Sequence, residues 1–262
     1  MKEMLFNKRI SGQVIQGFST RGGGVSPPPF SSLNLAFHVG DRPEFVRENR
    51  QRFFEALGLD LRRSTWGHQV HGNQVVVVDR AMAGAGALDL ADALPGIDAM
   101  VTNLPGLSLG IMVADCLPIL IYDPKHQAIG AVHAGWRGTL SKLAAKTIAV
   151  MGQQFGTHPA DCQIAIGPGI GSCCFEVRSD VIVAFQRQLP QVFQDCLVYR
   201  NGTSFFDLYQ ANSLILQGIG VIGKNIFGDS TCCTSCEQNA FFSYRGAGGV
   251  TGRQAGVIGI ME

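Results

Sequence analysis

The chain has no excess of charge of either sign. Its 262 residues carry 21 Lys and Arg against 20 Asp and Glu, a formal net charge of +1. Nothing there steers it toward nucleic acid or acidic lipid. Its arginines form no patch interleaved with aromatics, the pattern that single-stranded nucleic acids favour. No apolar run reaches the ~18 uncharged residues that a membrane-spanning helix needs. The opening MKEMLFNKRISGQ holds no apolar segment of the secretory type. The expected compartment is therefore the cytoplasm, with most cysteines as free thiols. Nucleotide fingerprints are missing too. GAGALDL, from Gly84, has Asp89 where the last glycine of GxGxxG would stand, and no GxxxxGK[ST] occurs. No internal repeat and no linker poor in apolar residues interrupts the chain, so one domain over 1–262 is expected.

What the sequence does have is apolar mass and glycine. Hydrophobic residues make up 46% of it, and 33 glycines lie singly or in short clusters between apolar runs. Such placement reads as tight turns and close backbone approaches. Strand-like runs cover 14–20, 74–78, several stretches from Asp98 to Asp123, HQAIGAVHAG and CQIAIGPGIG. The 74–78 run is apolar on both faces and reads as a central strand. Helical patterns follow Asp41, span Thr139–Phe155, and appear in SDVIVAFQRQL and after Asp207; Asp41, Asp207 and either Ser179 or Asp180 are the expected caps. FFSYR and the final QAGVIGIM read as two strand-like runs across a Gly-rich segment. The mixture predicts one α/β or α+β domain with a sheet-dominated core.

Three clusters carry chemistry. HQVHG offers His68 and His71; it leads into a β-run, so one of the two is expected to reach a given pocket. DCLP and HAGWRG offer Cys116 and His133. A thiolate with two neutral imidazoles is a zinc donor set that leaves a fourth position open. The same Cys and His could instead form a nucleophilic dyad. CCTSC has CxxC spacing at Cys233 and Cys236, but no second CxxC or CxxH pairs with it, so free thiols are expected there. IGPGIGSCC could bind an anion through backbone N–H groups. In the long loop after the first strand, Arg21, Ser32, Asn34 and His38 are candidates to face a pocket.

GFSTRGGGVS, SLNL, the Asn49-Arg50 pair, HQVHG, DCLP, HAGWRG, IGPGIGSCCFEV, CCTSC with FFSYR, and TGRQAG together resemble the YfiH-like proteins, long labelled multicopper polyphenol oxidase or laccase-domain proteins. The match runs over residues 14–260. The resemblance implies an α+β fold, a four-layer α/β/β/α sandwich with mixed sheets. It implies Zn2+ on His71, Cys116 and His133, with copper disfavoured. Six histidines leave too few for the trinuclear cluster of a laccase once one His2Cys set is assigned. The family has also been named purine nucleoside phosphorylase, with adenosine deaminase and methylthioadenosine phosphorylase activity, and an editing factor in peptidoglycan precursor synthesis. The nucleoside reading is the expectation, with a purine nucleoside and phosphate as partners, no nucleic acid or membrane, and a monomer or homodimer. The phosphate or ribose end is assigned to Arg21, Asn34 and Arg245. Asp115, His68 and Glu176 are candidates for the general acid or for orienting a ligand. A cysteine-dependent hydrolase and a non-catalytic zinc-stabilised binding protein are the rival readings.

Overall fold

The computed structural model describes residues 5–262, and the side chains of residues from 12 onward. In chain order it contains β1 (Leu5–Ser11), β2 (Val14–Ser19), α1 (Pro43–Leu57), β3 (Ser64–His68), β4 (Val75–Val77), β5 (Leu94–Pro95), β6 (Ala99–Thr102), β7 (Ser108–Val113), β8 (Leu117–Asp123) and β9 (Ala128–Ala134). Then come α2 (Trp136–Leu140), α3 (Leu143–Phe155), β10 (Gln163–Ile166), α4 (Ser179–Gln188), α5 (Pro190–Cys196), β11 (Leu197–Arg200), β12 (Thr203–Phe206), α6 (Leu208–Gly218), β13 (Ile226–Phe227) and β14 (Gln254–Ile260).

Two six-stranded mixed sheets form the centre. One has the order β1-β2-β14-β7-β3-β5, the other β13-β10-β8-β9-β6-β4. Between them pack Phe18, Leu109, Ile111 and Ile258 from the first sheet and Met100, Leu120, Ile129 and Ala131 from the second. Side chains alternate along a strand, so Ile119 and Ile121 of β8 face the other way. They meet Leu143, Ile148, Phe185 and Leu216 of the helices α3, α4 and α6. On the opposite flank Phe53, Phe54 and Leu57 of α1 cover Ile15, Trp66 and Val257 of the first sheet. The layers are helix, sheet, sheet, helix. Because both faces of β8 and β9 are covered, every residue of both strands is buried, which is why they read as unbroken apolar runs.

Several expectations need correction. Val75–Val77 is an edge strand paired only with β6; it is apolar on both faces because Val76 joins the inter-sheet core while Val75 and Val77 pack under the helices. The run from Thr139 to Phe155 is two helices, broken where Lys142 takes φ 55°. Asp41 does not cap α1. Arg42 stands at the cap position, and the Asp41 carboxylate accepts from Ser26 and Asn34 instead. Neither Ser179 nor Asp180 caps α4, which starts after Arg178 without a side-chain cap. Asp207 does cap α6, accepting from the Gln210 N–H. FFSYR is not a strand. Phe242 gives its N–H to the Gln254 side-chain oxygen and accepts from the same amide, so one glutamine side chain replaces a β-ladder.

Candidate functional site

The C-terminal end of β9, the start of β8 and the loop after β3 converge on one point. His71 Nε2 lies 3.8 Å from Cys116 Sγ, and the His71 and His133 ring centroids are 4.7 Å apart. The three ligand atoms all fall within 4.8 Å of one another. Of HQVHG, only His71 enters this cluster; His68 is exposed at the end of β3. The loop owes its shape to side chains that mimic backbone. Gln69 donates to the Met112 carbonyl and accepts the Met112 N–H, pinning the loop to β7.

A residue that no motif singled out organises the cluster. Asp98 is fully buried. Its carboxylate accepts the N–H groups of Val70, His71 and Gly72. It also takes a hydrogen bond from His133 Nδ1 at 2.7 Å. That bond fixes the imidazole tautomer and leaves Nε2 for the cluster, the arrangement common behind metal-ligating histidines. Burial works to raise the Asp98 carboxyl, but the His133 ring and the loop N–H groups outweigh it and hold it below the ordinary carboxylate range. Gly135 of HAGWRG keeps the space open: a Cβ there would stand 2.7 Å from Cys116 Sγ. His71 and Asp115 are both held at positive φ, 57° and 87°, non-glycine conformations that tend to persist where surrounding structure over-determines them.

The electrostatics favour a charged pair. Burial raises the Cys116 thiol, yet His133, followed by His71, brings it down to about 6. Burial lowers His133, yet the Cys116 thiolate and Asp98 push it up to about 9.

The cluster opens on a cavity of about 480 Å³, within the range of small-molecule sites. His38, Trp136, Phe175, Tyr244, Arg245 and Arg253 are among its walls. Burial, followed by Arg253 and His68, lowers the His38 imidazole to about 4, so it is neutral at pH 7.

The other sequence candidates divide. Asp115 lines the cavity, but its carboxylate is occupied: it accepts from Thr234, Ser243 and the Arg245 N–H, each at 2.7 Å. Arg245 lines the cavity, with its guanidinium on the Cys174 and Glu176 carbonyls. Glu176 is exposed and does not line it. Asn34 is fully buried, bonded to Asp41, Ala36 and the Arg253 N–H. Arg21 spends its guanidinium on the carbonyls of Ser31 and Gln238. Neither Asn34 nor Arg21 reaches the cavity wall. Asn49 and Arg50 are also structural: Asn49 binds Val25, Ser26, Ser32 and Asn34, and buried Arg50 lies 4.1 Å over the Trp66 ring with carbonyls as acceptors. The IGPGIG backbone offers no nest, because Gly167, Ile170 and Gly171 give their N–H groups to Pro118, Asp115 and Cys233. Arg253 of TGRQAG, absent from the sequence candidates, is the second cavity arginine.

Comparison with known proteins places these features in company. Residues 15–261 match the family described as multi-copper polyphenol oxidoreductase laccase. The chain is 39% identical over 252 residues to purine nucleoside phosphorylase YlmD of Geobacillus stearothermophilus, covering 95% of this chain and 91% of that protein. It is 34% identical over 257 residues to adenosine deaminase RL5 of an unknown prokaryote, covering 97% and 96%. The crystal structure of a hypothetical YfiH protein from Bacillus licheniformis has the same fold, with a TM-score of 0.90 and 36% identity over 95% of this chain and 93% of that one.

Proposed function

The chain belongs to this YfiH-like family, and we propose that it is a zinc-dependent purine nucleoside phosphorylase that also deaminates adenosine and phosphorolyses methylthioadenosine. The observation that carries the reading is the His71–Cys116–His133 cluster opening on a cavity walled by both aromatic side chains and arginines. Relatives over nearly the whole chain bear the names purine nucleoside phosphorylase and adenosine deaminase.

The donor set fits zinc. Zn–S and Zn–N bonds of about 2.3 and 2.0–2.1 Å are compatible with the 3.8 Å between Cys116 Sγ and His71 Nε2. The Asp98 bond occupies Nδ1 and leaves Nε2 as the ligand atom, which zinc would take by displacing the proton that His133 carries in the metal-free charged pair. His71, Cys116 and His133 would hold the metal as three protein ligands, and a metal held there would supply Lewis acidity to a small molecule in the cavity.

The chain's own groups do the rest. Trp136 and Phe175 offer flat apolar surface for a purine, and the same walls suit a methylthio substituent. Arg245 and Arg253 supply charge for phosphate. In phosphorolysis a phosphate oxygen bonds to C1′ of the ribose as the C1′–N9 bond breaks, and the base leaves with that electron pair and a proton. That proton comes from the attacking dihydrogen phosphate, and neutral His38 in the wall can relay it, accepting at one ring nitrogen as it gives from the other. In deamination the oxygen of water bonds to C6 and ammonia leaves.

A second reading has one observation in its favour. A thiol near 6 beside an imidazole near 9 is the ion pair of a cysteine hydrolase. Incubating metal-replete protein with adenosine or inosine, with and without phosphate, beside an amino-acyl peptidoglycan precursor separates the two. Phosphate-dependent release of adenine or hypoxanthine is the expected result. Hydrolysis of the precursor with no nucleoside product would overturn the proposal.

A further inference from the structure

Two thiol pairs, far apart in sequence, meet behind the cavity wall. Gly171–Cys174 and Cys233–Cys236 are each a tight turn, closed by Cys174 N–H on the Gly171 carbonyl and Cys236 N–H on the Cys233 carbonyl. The sulfurs of Cys173, Cys174, Cys233 and Cys236 all lie within 4.8 Å of one another. Cys236 Sγ is 3.5 Å from Cys173 Sγ and 3.4 Å from Cys174 Sγ. These separations exceed a disulfide's ~2.05 Å. They approach the S···S edge of about 3.8 Å that follows from four Zn–S bonds of ~2.3 Å in a tetrahedron. The missing partner of CCTSC is thus the adjacent pair Cys173-Cys174, invisible as a motif because it lacks CxxC spacing.

The turns are built to meet. A Cβ at Gly171 would stand 3.2 Å from both Cys173 Sγ and Cys233 Cβ, so glycine lets them close. The Gly171 N–H donates to Cys233 Sγ at 3.2 Å, and Thr234 N–H donates to the Gly169 carbonyl.

We propose that Cys173, Cys174, Cys233 and Cys236 form a second zinc site, a closed four-thiolate site of the structural type. It is separate from the His71–Cys116–His133 cluster, and it clips together two loops that build the cavity. Ile170 and Phe175 of the first loop line that cavity. Thr234, inside the second turn, and Ser243, seven residues beyond it, both donate to Asp115, the neighbour of Cys116. Closed tetrahedral four-thiolate sites of this kind contribute to folding directly and take no substrate.

Zinc counted by mass spectrometry on protein purified without oxygen tests this. Wild type should carry two zinc per chain, Cys236→Ser one, Cys116→Ala one, and the double variant none. Cys236 is exposed, so its serine variant should fold. Cobalt substitution gives a second readout: Cys116→Ala should retain the strong sulfur-to-cobalt charge-transfer band of a four-thiolate site, and Cys236→Ser should lose most of it. Hydrogen exchange over residues 167–177 and 231–245 should quicken in Cys236→Ser. Equal zinc in wild type and Cys236→Ser would overturn the site, as would a disulfide among the four in metal-free wild type. The Cys116→Ala arm reports on the first cluster separately, so failure of one proposal is distinguishable from failure of the other.

Discussion

Asp98 and His133 are joined by a 2.7 Å hydrogen bond between a fully buried carboxylate and a buried ring. The same carboxylate holds the loop that delivers His71. One side chain therefore orients two of the three cluster residues. Asp98→Asn keeps the size but can leave the tautomer wrong. It is expected to weaken zinc affinity roughly 10–100-fold, the usual effect of removing such a partner. Competition with a chelator measures it. Unchanged affinity in a folded variant would show that Asp98 serves only the loop.

Gly135→Ala places a methyl group 2.7 Å from Cys116 Sγ. The thiol must rotate away, so zinc should bind more weakly while the fold persists at a cost of about 1–3 kcal/mol, typical of overpacking. Zinc titration beside thermal melting checks both halves. Wild-type zinc affinity would show that the site relaxes around the methyl group.

The Cys116 thiol of metal-free protein should react as a thiolate down to mildly acidic pH. Its pKa is lowered to about 6, against an ordinary free-thiol value near 8.5. The alkylation rate should therefore rise with pH through a midpoint near 6 and be nearly flat above 7. His133→Ala removes the principal stabilising partner and should move the midpoint upward. Loading zinc should slow the reaction throughout, because the thiolate is then engaged. A midpoint near 8.5 in the metal-free wild type would contradict the charged pair.

Arg253 and Arg245 line the cavity, whereas the Arg21 guanidinium is held by two carbonyls outside it. Arg253→Met and Arg245→Met are each expected to raise the KM for phosphate at least tenfold, in keeping with about 1.5–3 kcal/mol for a hydrogen bond to a charged group. Arg21→Met should leave it within about threefold, since that guanidinium makes no cavity contact. Steady-state rates at varied phosphate decide it. A large rise for Arg21→Met alone would reverse the assignment.

Much of the site was legible because its chemistry sits in short motifs. HQVHG, DCLP and HAGWRG supplied the candidates, the family resemblance they carry implied His71, Cys116 and His133 among them, and the fold brings those three together. The residues that organise them were not. Asp98 lies in an ordinary loop-to-strand junction, and only the packing of β6 beside β9 brings it to His133. Asn34 has the same polarity as a ligand-binding residue, yet three of its bonds go to Asp41, Ala36 and the Arg253 N–H. The sequence cannot separate a buried amide that stiffens a loop from one that meets phosphate. Strand existence was readable from apolar runs, but strand position was not. Val75–Val77 looks central because covering layers, not neighbouring strands, bury its two faces. The break at Lys142 and the Gln254 side-chain ladder are tertiary choices with no local signature.

The most direct test joins the metal cluster to turnover. Adenosine and inosine phosphorolysis should be followed in zinc-loaded wild type and in folded Cys116→Ala at matched concentration. Phosphate-dependent release of the base by wild type, lost in Cys116→Ala together with one zinc per chain, is the expected result. Undiminished phosphorolysis in a Cys116→Ala variant lacking that zinc would contradict it.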